Sequence, residues 1–148
     1  SVEVVYSDTK TYKEKHDRFA KADAVFLSSL GVDVDLINEV RSLCPEKCKF
    51  YIIGEKNFGE NNGQIYRHRF DSDFHKITIM MERGYAEKNE RLKALYRDCY
   101  VDMIAKVQYP DGSVRVFSDD GRFISQDCRH LTKAGAQYYA KLMDWKRF

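Results

Sequence analysis

Only two prolines interrupt this chain of 148 residues, and it contains neither a low-complexity tract nor an internal repeat. That excludes the Pro-rich or repetitive make-up of a disordered linker. No uncharged apolar run approaches the roughly 18 residues that a membrane-spanning helix needs, and the first residues lack the charged-then-apolar layout of a signal peptide. Direct insertion of this stretch into a membrane is therefore not expected. An excess of one charge sign is missing too: 25 Lys and Arg stand against 23 Asp and Glu, a net charge of +2. Such an even mixture gives no broad field or basic face for nucleic acid, so no nucleic-acid partner is expected. Cysteine is sparse. Cys44 and Cys48 resemble half of a zinc site, but Cys99, Cys128 and four scattered histidines offer no second pair of similar spacing. No metal and no cofactor are expected, and the even cysteine count is compatible with two disulfides without requiring them.

What is present suits a folded core. Hydrophobic residues make up 43% of the chain, with ten Tyr and nine Phe, and the length matches one ordinary domain. Val2–Tyr6 is a short β-branched and aromatic run that reads as a strand, with Ser7-Asp8-Thr9 as a loop or helix cap. Thr11 to Lys21 places Tyr12, His16, Phe19 and Ala20 on one face of a helix. Ala24-Val25-Phe26-Leu27 is continuously apolar, as in a parallel strand buried on both faces, and Gly31 ends it. Val34, Ile37 and Val40 then fall at helical spacing, and Phe50-Tyr51-Ile52-Ile53 makes the next strand, stopped by Gly54. Strand, helix, strand at this spacing is a βαβ unit with a parallel sheet.

Residues 54–72 are polar, carry Gly59, Asn61, Asn62 and Gly63, and show no clean period. A long loop is expected here, at the carboxyl end of a parallel strand, where open α/β sheets place their sites. Tyr85 to Tyr100 reads as a helix with Leu92, Leu95, Tyr96 and Cys99 on one side, followed by a strand over Val101–Ile104. Tyr109–Gly112 and Asp119–Gly121 are turns that suggest a hairpin of 113–117 with 122–124. Leu131 to Met143 forms an amphipathic helix in which Tyr138 and Tyr139 fit core packing better than sugar stacking.

The chemistry concentrates in Asp127-Cys-Arg-His130-Leu131-Thr132-Lys-Ala-Gly135-Ala136. An Asp three residues before a His, on the turn entering a helix, can fold its carboxylate back onto one imidazole nitrogen. The other nitrogen is then free to accept a proton from a hydroxyl nucleophile. An Asp-x-x-His pair is also a common helix-entry arrangement, so the spacing by itself does not define a site.

The same segment resembles the last block of SGNH hydrolases, Asp-x-x-His-Leu followed by a small-residue helix. It is closest to the SGNH domains fused behind integral-membrane acyltransferases that O-acetylate bacterial surface polysaccharides. Ala22–Ser29 and Lys49–Gly54 resemble that family's strands on either side of its central helix, and helix 86–98 and the hairpin follow in family order. The resemblance implies a three-layer α/β/α sandwich with a short parallel sheet, of SGNH or flavodoxin-like type, formed by residues 1–148. It implies a serine esterase or O-acetyltransferase acting on carbohydrate acyl esters, with His130 as general base and acid and Asp127 orienting it. Asn57, in Gly54-Glu-Lys-Asn57, stands where the family places an oxyanion-binding Asn.

One departure is clear: the family's nucleophile lies in an N-terminal Gly-Asp-Ser block, and no Gly-Asp-Ser occurs here. Ser7, after the Val2–Tyr6 run, offers a Ser-Asp pair without the glycine, and a cap is its competing role. The resemblance thus places the nucleophile strand upstream of Ser1 or lets it be lost. It further implies an N-terminal membrane acyltransferase domain as partner and the extracytoplasmic, periplasmic face of a bacterial inner membrane as location. The alternative reading is a non-catalytic carbohydrate-binding or scaffolding module that kept the fold.

Overall fold

Residues 2–28 and 32–148 are described by the computed structural model, a mixed α/β arrangement. Gly31, expected to end the first strand, lies outside the described residues, as do Ser1 and Ser29. A 3₁₀ turn (Tyr12–Lys15) leads into the one-turn helix α1 (His16–Phe19), then β1 (Ala24–Ser28), α2 (Val34–Ser42), β2 (Lys49–Ile53) and α3 (Asn62–Tyr66). There follow β3 (Thr78–Met80), α4 (Arg83–Leu95), β4 (Tyr100–Val101), β5 (Ser113–Arg115) and α5 (Lys133–Leu142).

β1, β2 and β4 form a parallel sheet in that order, with Ala24 opposite Lys49, Ser28 opposite Ile53, and Ile53 opposite Val101. β2 is central because its side chains have apolar partners on both faces. Phe50 and Ile52 enter a core with Tyr12, Ile37, Val40, Leu92 and Tyr96, which belong to the 3₁₀ turn, α2, α4 and the turn after α4. Tyr51 turns the other way, into a core with Val101, Ile124, Tyr138 and Tyr139, the last two from α5. Each fully buried side chain of this size contributes about 1.5–3 kcal/mol. The βαβ unit and the C-terminal helix therefore stand as the periodicity implies.

Caps set the helix starts. Asp33 accepts the Leu36 N–H at 2.9 Å and Thr132 accepts the Gly135 N–H at 2.9 Å, each from an extended backbone that satisfies one orphan donor of the first turn. Tyr138 and Tyr139 pack as expected, and their hydroxyls meet Arg115 Nη1 at 2.7 Å and the Met103 carbonyl at 2.9 Å.

Several sequence expectations are corrected. Val2–Tyr6 forms no strand: Val2 and Tyr6 are 91% and 83% exposed, and with no strand partner among the described residues, β propensity alone does not hold the run. The helix expected over 11–21 is a 3₁₀ turn plus one α turn. β1 is not covered on both faces. It is the sheet edge, alternates between exposed and half-buried, and leaves Phe26 54% exposed. The expected loop 54–72 contains α3, started by Asn61 accepting the Gln64 N–H rather than by apolar periodicity. The strand expected over 101–104 ends at Val101, after which Ile104–Lys106 turns as 3₁₀. The expected hairpin shrinks to a bridge between Phe117 and Phe123, and β5 pairs antiparallel with β3 instead. That two-stranded sheet covers a third small core of Ile65, Phe74, Val116 and Phe117.

Candidate active site

The turn between Ser125 and Leu131 is where the sequence signal becomes geometry. These two residues bridge in antiparallel fashion, the Gln126 N–H and the buried Ser125 hydroxyl both donate to the His130 carbonyl at 2.9 Å, and the loop is pinched into a tight excursion. At its tip Cys128 has φ 68°, making it the non-glycine residue with left-handed backbone among those described. That conformation costs a β-carbon-bearing residue about 1–2 kcal/mol. It curls the chain so that Asp127 Oδ1 accepts the N–H groups of Arg129 at 3.2 Å and His130 at 2.9 Å.

Asp127 Oδ2 is left to meet His130 Nδ1 at 2.7 Å. Main-chain donation from His130, then the imidazole contact and the Arg129 N–H, hold the Asp127 carboxyl down to about 2. The ring is oriented by its outer nitrogen partner as a carboxylate-steered imidazole requires, and Nε2 makes no hydrogen bond among the described residues. The side chain of His130 is 68% exposed.

Two predictions arise here. Because the folded carboxyl is depressed, the stabilisation from Asp127 is full above about pH 4, the ordinary Asp value, and is lost as pH falls toward 2. Carboxyl-carbon NMR should give Asp127 a midpoint near 2, and a midpoint near 4 would show that these hydrogen bonds do not form. Substitution of Cys128 separates backbone from side chain. Cys128→Gly should leave stability unchanged or raise it by up to about 1 kcal/mol, whereas Cys128→Val should lower it by about 1–2 kcal/mol in urea titration.

Asn57 reaches the same neighbourhood. β2 runs into Gly54, whose N–H donates to the Val101 carbonyl at 2.9 Å, and the following loop is buried despite its polarity, with Glu55 and Asn57 each 2% exposed. Asn57 Oδ1 accepts the Gly59 N–H at 2.9 Å, so the amide nitrogen is the uncommitted end among the described contacts. The Phe58 N–H donates to the Cys128 carbonyl at 2.8 Å, which ties the Asn57 loop directly to the Asp127–His130 turn. Residue 57 and the dyad are therefore brought together across 70 positions of sequence.

Ser7 is not brought with them. Its hydroxyl meets Thr11 Oγ1 at 3.4 Å on an exposed segment, and no hydrogen bond joins it to His130. The turn there is closed by Asp8, whose carboxylate accepts from the Lys10 and Thr11 N–H groups and the Thr11 hydroxyl. This segment is anchored through Tyr12 to the core of α2 and α4, while the turn carrying the dyad leads into α5.

Three contributors carried no readable signal: the left-handed backbone of Cys128, the buried Glu55 with Lys88 Nζ at 2.6 Å from its Oε1, and Tyr85, whose hydroxyl accepts from Arg129 at 3.3 Å. Charged residues in a polar loop or on a charged helix look like solvated surface until the fold buries them. Burial pushes the pKa of Lys56 down, with the charge of Glu55 acting against it. Among the described residues no three His, Cys, Asp or Glu side chains converge in a metal-binding cluster. The four cysteines are free and half-buried, and burial with the neighbouring Cys48 pushes the Cys44 thiol up to about 11. No described helix is long and apolar enough to cross a membrane. Comparison with known proteins gives no match among family models, curated proteins or solved structures.

Proposed function

We propose that the chain is the acid/base-bearing part of an SGNH-type domain, a three-layer α/β/α sandwich that hydrolyses or transfers acyl esters on carbohydrate, such as a bacterial surface polysaccharide. The observation that carries the reading is the 2.7 Å contact of Asp127 Oδ2 with His130 Nδ1, on a turn whose Cys128 carbonyl accepts the Phe58 N–H of the Asn57 loop. In this reading a serine hydroxyl attacks the ester carbonyl carbon as Nε2 takes its proton. The carbonyl π electrons move onto oxygen, where the Asn57 amide donates a hydrogen bond, and collapse expels the sugar alkoxide, which takes the proton back from Nε2. Water or a second sugar hydroxyl then releases the acyl group by the reverse sequence. Asp127 stays ionised throughout and stabilises the imidazolium.

The serine is supplied by a strand outside the described residues. Support comes from β1: its outer edge has no strand partner among the described residues, and Ala24-Val25-Phe26-Leu27-Ser28 has no Lys, Pro or bulge to blunt it. Folded proteins protect exposed edges by such means, and a continuously apolar parallel strand belongs inside a sheet. A membrane acyltransferase domain ahead of this chain, and the extracytoplasmic face of a bacterial inner membrane, follow from the same resemblance.

The binding-module reading has one observation in its favour, that no described hydroxyl is bonded to His130 Nε2. Aryl acetate hydrolysis by the intact protein, measured beside His130→Ala, separates the two. Turnover that collapses in the variant supports the enzyme, and turnover that does not change removes His130 from the mechanism.

A further inference from the structure

Both halves of the site lean on one helix. Near the start of α4, Tyr85 accepts a hydrogen bond from Arg129 of the dyad turn, and one turn later Lys88 forms an ion pair with Glu55 of the Asn57 loop at 2.6 Å. The next residue, Asn89, is buried, accepts the Tyr100 hydroxyl at 2.8 Å and donates to Asp102 at 3.2 Å, so this stretch of α4 is also fixed to the strand beside β2.

The Glu55–Lys88 pair does not read as a device for stability. The Glu55 side chain is 1% exposed, and its buried Oε2 has no hydrogen-bond partner among the described residues. Taking a carboxylate out of water and leaving one oxygen unmet opposes folding, and apolar residues of similar volume often serve stability as well or better. A cost accepted two residues before the candidate oxyanion donor is what placement of a functional group, rather than packing, accounts for.

We propose that Glu55 and Lys88 are positioning residues: the ion pair between the buried Glu55 carboxylate and the half-buried Lys88 latches the loop after β2 onto α4 and thereby sets the Asn57 amide at a fixed place relative to His130. The inference rests on the acyl-ester reading for its chemical meaning, but the latch itself is testable without it. Hydrogen exchange in the whole chain reads the loop through the Phe58 amide, bonded to Cys128, and the Gly59 amide, bonded to Asn57 Oδ1. In Glu55→Gln and Lys88→Gln these two amides should exchange at least about tenfold faster, while those of Ile52 and Ile124, bonded to Cys99 and Val116, keep their rates. Should Lys88→Gln alone fail to fold, the double variant Glu55→Gln with Lys88→Met removes both charges at nearly constant volume and reads the same amides.

Unchanged Phe58 and Gly59 exchange, or an equal rise at all four amides, overturns the latch. With the intact protein and an aryl acetate, the variants should lose about a hundredfold in kcat with KM held within about twofold, the pattern of an interaction realised in the transition state. An active protein whose variants keep full kcat overturns the positioning role. A wild type that does not hydrolyse the ester counts against the acyl-ester reading instead, and the exchange result then decides the latch by itself.

Discussion

Gly135→Ala should destabilise the chain by about 3 kcal/mol or more, the largest loss expected from a single added methyl group. A β-carbon built on Gly135 would sit 1.9 Å from the carbonyl oxygen of Ile124 and 2.7 Å from its carbonyl carbon. An ordinary carbon–oxygen contact needs about 3.3 Å, so α5 or the Ile124 segment would have to move by more than an ångström. Neither is free to do so. The Ile124 N–H donates to Val116, its carbonyl accepts the Thr132 N–H, and the Thr132 hydroxyl holds the Phe123 carbonyl at 2.5 Å. The same displacement would shift the turn that carries Asp127 and His130. Gly84→Ala is the internal control: it lies in α4, nothing stands within 4 Å of its added methyl, and alanine there should stabilise by about 0.5–1 kcal/mol. Urea denaturation of both variants checks the pair, and a Gly135→Ala midpoint equal to wild type would mean that α5 does not approach Ile124 as described.

Asp127→Asn should reduce kcat for ester turnover by about 10⁴-fold while leaving the fold in place. The reason lies in which oxygen is already occupied. Oδ1 accepts two main-chain N–H groups, so an asparagine keeps its carbonyl there and presents its NH₂ where Oδ2 met His130 Nδ1. Nδ1 then becomes an acceptor, the ring proton moves to Nε2, and that nitrogen has no lone pair left for a hydroxyl proton. His130→Ala removes the base itself and should lose a similar factor, and the two losses should not add, because they disable one unit. Imidazole nitrogen shifts give a second readout, with the proton expected on Nδ1 in wild type and on Nε2 in Asp127→Asn. Wild-type kcat in Asp127→Asn would remove the carboxylate from any catalytic part.

Much of this arrangement is legible in the sequence because it rests on strong local signals. Apolar run length gave β2, three-and-four spacing gave α2 and α5, and Asp-x-x-His fixed the contact between Asp127 and His130, which needs only one tight turn. What could not be read depends on partners far along the chain. Val2–Tyr6 has the composition of a strand without a strand to join among the described residues, while β5, read as a strand, pairs across more than 30 positions with β3, three residues that no periodicity announces. Phe26 belongs to an apolar run whose burial requires a neighbour that the described residues do not provide. Glu55 is a charged loop residue by sequence, and only the packing of α4 over it makes it an interior carboxylate.

The openness of His130 has a consequence for how reaction products would divide. With two thirds of its side chain in solvent, nothing in the described residues keeps bulk water, at about 55 M against millimolar sugar, from the position where an acceptor would bind. Left in this state, an acylated serine brought to Nε2 would lose its acyl group to hydrolysis. Transfer to a sugar would require a surface that closes over the imidazole and admits the acceptor first.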